Sequence, residues 1–125
     1  MTSFLSITAT NHTAKTYVFV SALKTWTSAQ AYCREHHTDL ALIENAAENN
    51  EVRSKKKPNA FVWIGLYRVP WTWSDKSQSS FRSWWGGQPN NHGLNQSCVA
   101  ANPKQEWNDD YCHLKRNFIC HQGDY

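Results

Sequence analysis

The sequence predicts a single α+β domain. Two helix-like stretches fall in the first half, strand-like runs gather in the second, and an irregular stretch from Tyr67 to Gln96 lies between them. A chain of 125 residues is long enough for one buried core and hardly for two.

Each element has a local reason. Tyr17-Val18-Phe19-Val20 reads as a first strand. Thr25 is placed to cap a helix running to about His37, whose apolar stripe is Trp26, Ala29 and Cys33 at i, i+3 and i+7. Leu40-Ala41-Leu42-Ile43 is a short buried strand or turn. Asn45, followed three residues later by Glu48, forms a capping pair that opens a second helix to about Ser54. Lys55-Lys56-Lys57-Pro58 then breaks it. This basic run, with Arg53, has the charge to attract sulfated glycans or acidic proteins, but reads first as a solvated helix end.

Phe61-Val62-Trp63-Ile64-Gly65-Leu66 is apolar at consecutive positions, as expected of a strand buried on both faces. Ser, Gly, Pro and Asn dominate from there to Gln96, and irregular stretches of that length inside compact domains tend to be functional. Strands resume at Cys98-Val99-Ala100-Ala101, around Trp107, and at Asn117-Phe118-Ile119-Cys120. The domain is expected over residues 17–121, with an N-terminal extension 1–16 and a C-terminal tail 122–125.

Composition narrows the function. Hydrophobic residues make up 40% and aromatics 14%, with seven tryptophans, which excludes a disordered chain. The net charge of +3 is a mild excess, and the aromatics sit in apolar runs rather than among Lys and Arg, so nucleic acid is not an expected partner. Four cysteines with no CxxC pair favour disulfides over a zinc site, although spacing alone leaves all three connectivities open. Sequons at Asn11 and Asn95 fit passage through the secretory pathway. Met1 to Lys15 lacks a signal peptide's basic start and apolar core, and no stretch approaches a membrane span. The chain therefore reads as a secreted protein or the extracellular domain of a membrane protein. No nucleophile elbow or paired carboxylate frame is present, and cysteines committed to bridges cannot serve as nucleophiles. A binding module is expected, not an enzyme.

Trp63-Ile64-Gly65-Leu66, Gln88-Pro89-Asn90, Trp107-Asn108-Asp109 and the four cysteines in order resemble the C-type lectin-like domain, most closely its short form. The wording near Trp63 and Trp71 is similar to that of vertebrate lectin receptors. The match covers about residues 17–121. The resemblance implies a double-loop fold with two helices packed on small antiparallel sheets and a long irregular loop. It also implies nested disulfides, Cys33–Cys120 outside and Cys98–Cys112 inside, and a cis bond before Pro89.

In this family the long loop can hold calcium, which takes two vicinal sugar hydroxyls. Carried over, the ligands would be Gln88, Asn90, Gln96, Asn108 and Asp109. Only Asp109 among them is charged, and ligand charge sets calcium affinity, so a weak site is expected, with Kd on the order of 10⁻⁴–10⁻³ M or above. Asp110 stands just outside the motif as a further charge. By the same resemblance a secondary calcium site is expected to be lost, since Arg68, Asn91 and Ser97 stand where acidic residues would. Gln88-Pro89-Asn90 is a hybrid of the family's mannose-type and galactose-type motifs, which leaves the sugar open.

Trp71, Trp73, Trp84 and Trp85 flank or occupy the loop and are expected chiefly to anchor it, Trp85 being nearest the motif. His92 reads as an exposed loop histidine. A glycan on Asn95 would crowd the site. Two functions follow: recognition of glycans or glycoproteins with weak or absent calcium dependence, or calcium-independent binding of a protein ligand on the same scaffold.

Overall fold

The computed structural model describes residues 15–67, 71–89 and 97–123. In chain order these form β1 (Thr16–Lys24), α1 (Trp26–His36), β2 (Asp39–Leu40), α2 (Ala46–Lys55), β3 (Val62–Tyr67), β4 (Thr72–Trp73), β5 (Cys98–Ala101), β6 (Trp107–Asp110) and β7 (Arg116–Gln122). No helix among them is long and apolar enough to cross a membrane.

Both helices start where local chemistry directs. The Thr25 hydroxyl accepts from the Ser28 amide at 3.3 Å, and Asn45 Oδ1 accepts from the Glu48 amide at 2.8 Å. Glu48 reaches back one residue further than a capping box requires, its Oε1 accepting from the Glu44 amide at 2.8 Å. Its other oxygen lies 2.6 Å from Lys15 Nζ, which is equally close to Glu44. The Lys15 side chain is fully buried between these two carboxylates, so the residue just before β1 clamps the start of α2.

Among the described residues the sheet order is β1-β7-β3-β5-β6, with β2 on β7 and β4 on β3. The pairings are antiparallel except β3 with β7. That parallel contact joins the expected small antiparallel sheets into one network. β1 and β7, distant in sequence, pair from Thr16 opposite Gln122 to Lys24 opposite Arg116, bringing the two ends of the domain together.

The sheet separates two apolar clusters. Val62, Ile64 and Leu66 of β3 join Ile43, Val52, Trp73, Trp107 and Ile119 on one side. Trp63 joins Trp26, Ala29, Cys33, Leu40 and Phe118 on the other, so β3 is buried on both faces as its unbroken apolar run predicts. Buried indoles keep their N–H groups satisfied: Trp26 donates to the Ile64 carbonyl at 2.9 Å and Trp63 to that of Lys24 at 3.0 Å. The disulfides are Cys33–Cys120 and Cys98–Cys112.

Gly65 marks the tightest crossing. Its amide donates to Ala41 O at 2.9 Å and its carbonyl accepts from Ser74 at 2.5 Å. A Cβ there would meet the Leu40 and Ala41 carbonyl oxygens, both at 2.9 Å. These are backbone atoms that cannot rotate away. Gly65→Ala is expected to destabilise the domain by about 1–3 kcal/mol through overpacking, read from chemical denaturation. An unchanged denaturation midpoint would show that the 41 and 65 segments are not held in contact.

Two sequence expectations need correction. Lys56, read as part of a solvated basic run, is buried, with Nζ donating to the carbonyls of Ala101 and Asn102. Burial, and next the nearby charge of Arg53, lower its pKa to about 8. Phe61, read as the first residue of a doubly buried strand, precedes β3 and is 38% exposed. Lys56 is reversed by where the β5–β6 turn passes, which no local pattern encodes.

Candidate functional site

The β5–β6 hairpin carries the site. Its turn is closed by Asn102, whose amide donates to Glu106 O at 2.8 Å and whose Oδ1 accepts from the amides of Lys104 and Glu106. At the other end Cys98 lies opposite Asp110, and the bridge to Cys112 fixes that end. Trp107, fully buried, sets the depth of β6. Its Nε1 donates to Asn49 Oδ1 on α2 at 3.0 Å. Side chains alternate along a strand, so Asn108 leaves β6 on the face opposite Trp107.

The loop reaches the site through backbone bonds to the same tryptophan. Trp107 N donates to Ser83 O at 2.7 Å, Trp85 N donates to Trp107 O at 2.8 Å, and Gln88 N donates to Trp85 O at 2.9 Å. Gln88 is thus tied to β6 through one tight turn. The Gln88–Pro89 bond is cis, as the resemblance implied.

The side chains are then unevenly satisfied. Gln88 Oε1 and Asn108 Oδ1 are both buried with no hydrogen-bond partner among the described residues. Asn108 spends its amide nitrogen on Asp109 O at 3.3 Å. Leaving a buried acceptor unpaired costs about 1–3 kcal/mol. Both amide atoms of Gln105, in the β5–β6 turn, are likewise buried without a partner among the described residues. Asp109 adds a carboxylate that is only 2% exposed. Asp110, the extra charge considered above, is committed elsewhere: it pairs with Arg116 and accepts from the Tyr111 amide. Ser97 Oγ lies 3.4 Å from Cys112 Sγ. Asn90, Gln96, Arg68, Asn91, His92 and the sequon residues Asn11 and Asn95 lie outside the described residues. Among the described residues no three His, Cys, Asp or Glu side chains are grouped to hold a metal.

The rest of the loop is pinned to the core. Trp73 forms β4 and is buried, its Nε1 donating to Ser79 O at 3.1 Å. The Trp71 and Trp84 rings lie 5.2 Å apart at a tilt of 54° and pack against the same cluster. Asp75 lies 3.4 Å from Nε2 of the buried His121. Burial is the largest influence on Asp75 and opposes its ionisation. Hydrogen bonds from His121 and Ser77, together with the charge of His121, outweigh it and hold the carboxyl below the ordinary aspartate value. The expected anchoring role thus describes Trp71, Trp73 and Trp84. Trp85 differs, since half of it is exposed.

The profile of the Lectin C-type domain matches residues 22–122. Hepatic lectin of Gallus gallus is 34% identical over 110 residues, covering 83% of this chain and 53% of that protein. L-selectin of Bos taurus is 34% identical over 118 residues, covering 85% of this chain and 32% of that protein. The chain thus spans about half of one of these relatives and a third of the other. Among solved structures, the mouse scavenger receptor C-type lectin carbohydrate-recognition domain superposes with a TM-score of 0.81 at 26% identity, over 89% of this chain and 92% of that one. Motif, disulfide pairing, fold and relatives agree, and the chain belongs to the C-type lectin domain family.

Proposed function

We propose that this domain recognises glycans outside the cell through the long loop, with Gln88, Asn90, Gln96, Asn108 and Asp109 as the contact set. The observation that carries this reading is that the buried oxygens of Gln88 and Asn108 have no partner among the described residues. Such oxygens are what a hard cation or a sugar hydroxyl would engage. Their relatives' names support the class of ligand: one is a lectin and another a carbohydrate-recognition domain. The two disulfides support a secreted or extracellular setting.

Oxygen donors suit calcium, and the same five residues would hold it. When bound, the ion would supply a charge able to take two vicinal sugar hydroxyls. The protein's own contribution is to hold the amide oxygens dry and fixed, through the Trp85 and Trp107 backbone bonds, with Asp109 as the single carboxylate of the set. That low charge keeps affinity weak. It also favours a second reading, calcium-independent recognition of a protein ligand on the same loop.

In ~10 mM calcium against EDTA, a Kd of about 10⁻⁴–10⁻³ M corresponds to about 1.4–2.7 kcal/mol of stabilisation, or several degrees in Tm. Asn108→Ala with Asp109→Ala is expected to remove that shift, together with retention on immobilised mannose or galactose. Failure of calcium to raise Tm, combined with no retention on either sugar in calcium or EDTA, would transfer support to the protein-ligand reading.

A further inference from the structure

Away from the Gln88 and Asn108 oxygens, two surface clefts meet along a shared edge made by Asn59 and Pro103. The first, about 360 Å³, is built on Phe61, Trp85 and Pro103, with Lys104 and Glu106 at its margin. The second, about 300 Å³, is lined by Arg53, Lys56 and Lys57. One is aromatic and the other cationic, and Asn59 and Pro103 line both.

Both aromatic rings are partly open to solvent. Phe61 is 38% exposed, and the Arg116 guanidinium lies 5.2 Å from its ring centre while pairing with Asp110. Trp85 is 50% exposed, with its amide fixed to Trp107 O. Exposing two large rings has a hydrophobic cost that a ligand covering them would relieve. The cationic side is equally specific. Lys56 is committed to the carbonyls of Ala101 and Asn102, which holds the Asn102–Pro103 turn against the end of α2. Arg53, Lys57 and Lys104 remain exposed, against the single carboxylate of Glu106.

We infer that the joined clefts bind an acidic oligosaccharide, a sulfated glycan chain, with a sugar ring stacked on Trp85 and Phe61 and a sulfate of a neighbouring sugar held by Arg53 and Lys57. A pyranose ring presents an apolar C–H face to an aromatic plane, and its sulfate groups supply the charge that Arg53 and Lys57 complement. An acidic peptide would match the cations but has no comparable use for two exposed rings. This inference does not rest on the calcium-linked reading of the long loop, and its test is run in EDTA for that reason.

The probe is a sulfated chondroitin tetrasaccharide, titrated calorimetrically into the full chain in EDTA at ~50 and ~200 mM salt, a range over which exposed charge pairs are progressively screened. Binding is expected, several-fold weaker at the higher salt. Trp85→Ala is expected to weaken it about 2–12-fold, the fold-change corresponding to the usual range for an aromatic contact. Arg53→Ala with Lys57→Ala is expected to weaken it at least as much and to flatten the salt dependence. That second variant changes only exposed side chains, so it keeps the test open should Trp85→Ala fail to fold. Unsulfated chondroitin should bind far more weakly. The inference is overturned by absence of binding, by equal binding of the unsulfated chain, by an unchanged affinity in folded Trp85→Ala, or by a glutamate peptide of equal charge binding as tightly.

Discussion

Trp107→Ala is expected to cost about 3–5 kcal/mol from the lost volume alone, and more once its partner is counted. The ring is fully buried and meets Trp73, Phe81 and Trp84 edge-on at 5.6, 5.6 and 6.1 Å. Its Nε1–H satisfies Asn49 Oδ1, while Asn49 Nδ2 holds Ser83 Oγ at 3.2 Å and Gln105 O at 2.9 Å. Removing the indole therefore leaves a buried acceptor on α2 unpaired and loosens the loop and the hairpin together. Trp107→Phe separates the two effects. It keeps much of the ring volume but not the donor, and should cost about 1–3 kcal/mol for the orphaned oxygen, in addition to a smaller packing loss. Both are read from urea denaturation at fixed calcium. Near-equal midpoints for Trp107→Phe and the wild type would remove Asn49 from the argument. A domain of ordinary stability holds about 5–15 kcal/mol, so Trp107→Ala is expected to leave little margin.

Losing the outer disulfide is expected to cost more than losing the inner one. Cys33 and Cys120 are separated by 87 residues, and the chain-entropy account assigns closure of a loop of that length about 4.6 kcal/mol. Cys98 and Cys112 are separated by 14, for about 3 kcal/mol. The outer bridge ties α1 to β7, which is also the strand that brings β1 beside the rest of the sheet. Cys33→Ala with Cys120→Ala should therefore lower global stability most. Cys98→Ala with Cys112→Ala should act chiefly on the hairpin that carries Asn108 and Asp109. Denaturant midpoints for the two double variants and amide exchange across β5 and β6 check this. Equal losses from both would mean that strain or residual structure in the unfolded chain, rather than loop length, governs the outcome.

What the sequence by itself determined was whatever depends on neighbours in the chain or on an unbroken apolar run. Thr25 and Asn45 cap their helices because each acts on an amide three residues ahead. Val62 to Leu66 form a strand buried on both faces because no polar residue interrupts them. The motif residues Trp107, Asn108 and Asp109 lie on a strand as the resemblance implied, and the cysteines pair as nested bridges.

Other features needed the tertiary structure. Lys15 and Lys56 look like surface cations in one dimension, yet both are buried, Lys15 against carboxylates 29 and 33 residues away and Lys56 against carbonyls 45 and 46 residues away. Trp84 and Trp85 are adjacent in sequence, yet the first packs against the core and the second is half exposed, because the β6 bridge at Trp84 decides which ring turns inward. The buried Gln88 and Asn108 oxygens, without a partner among the described residues, and the placing of the Phe61–Trp85 cleft beside the Arg53–Lys57 one arise the same way. Burial and unmet hydrogen bonds are set by which distant segments cross. Those crossings are chosen by the packing of the whole core, not by any stretch of chain read alone.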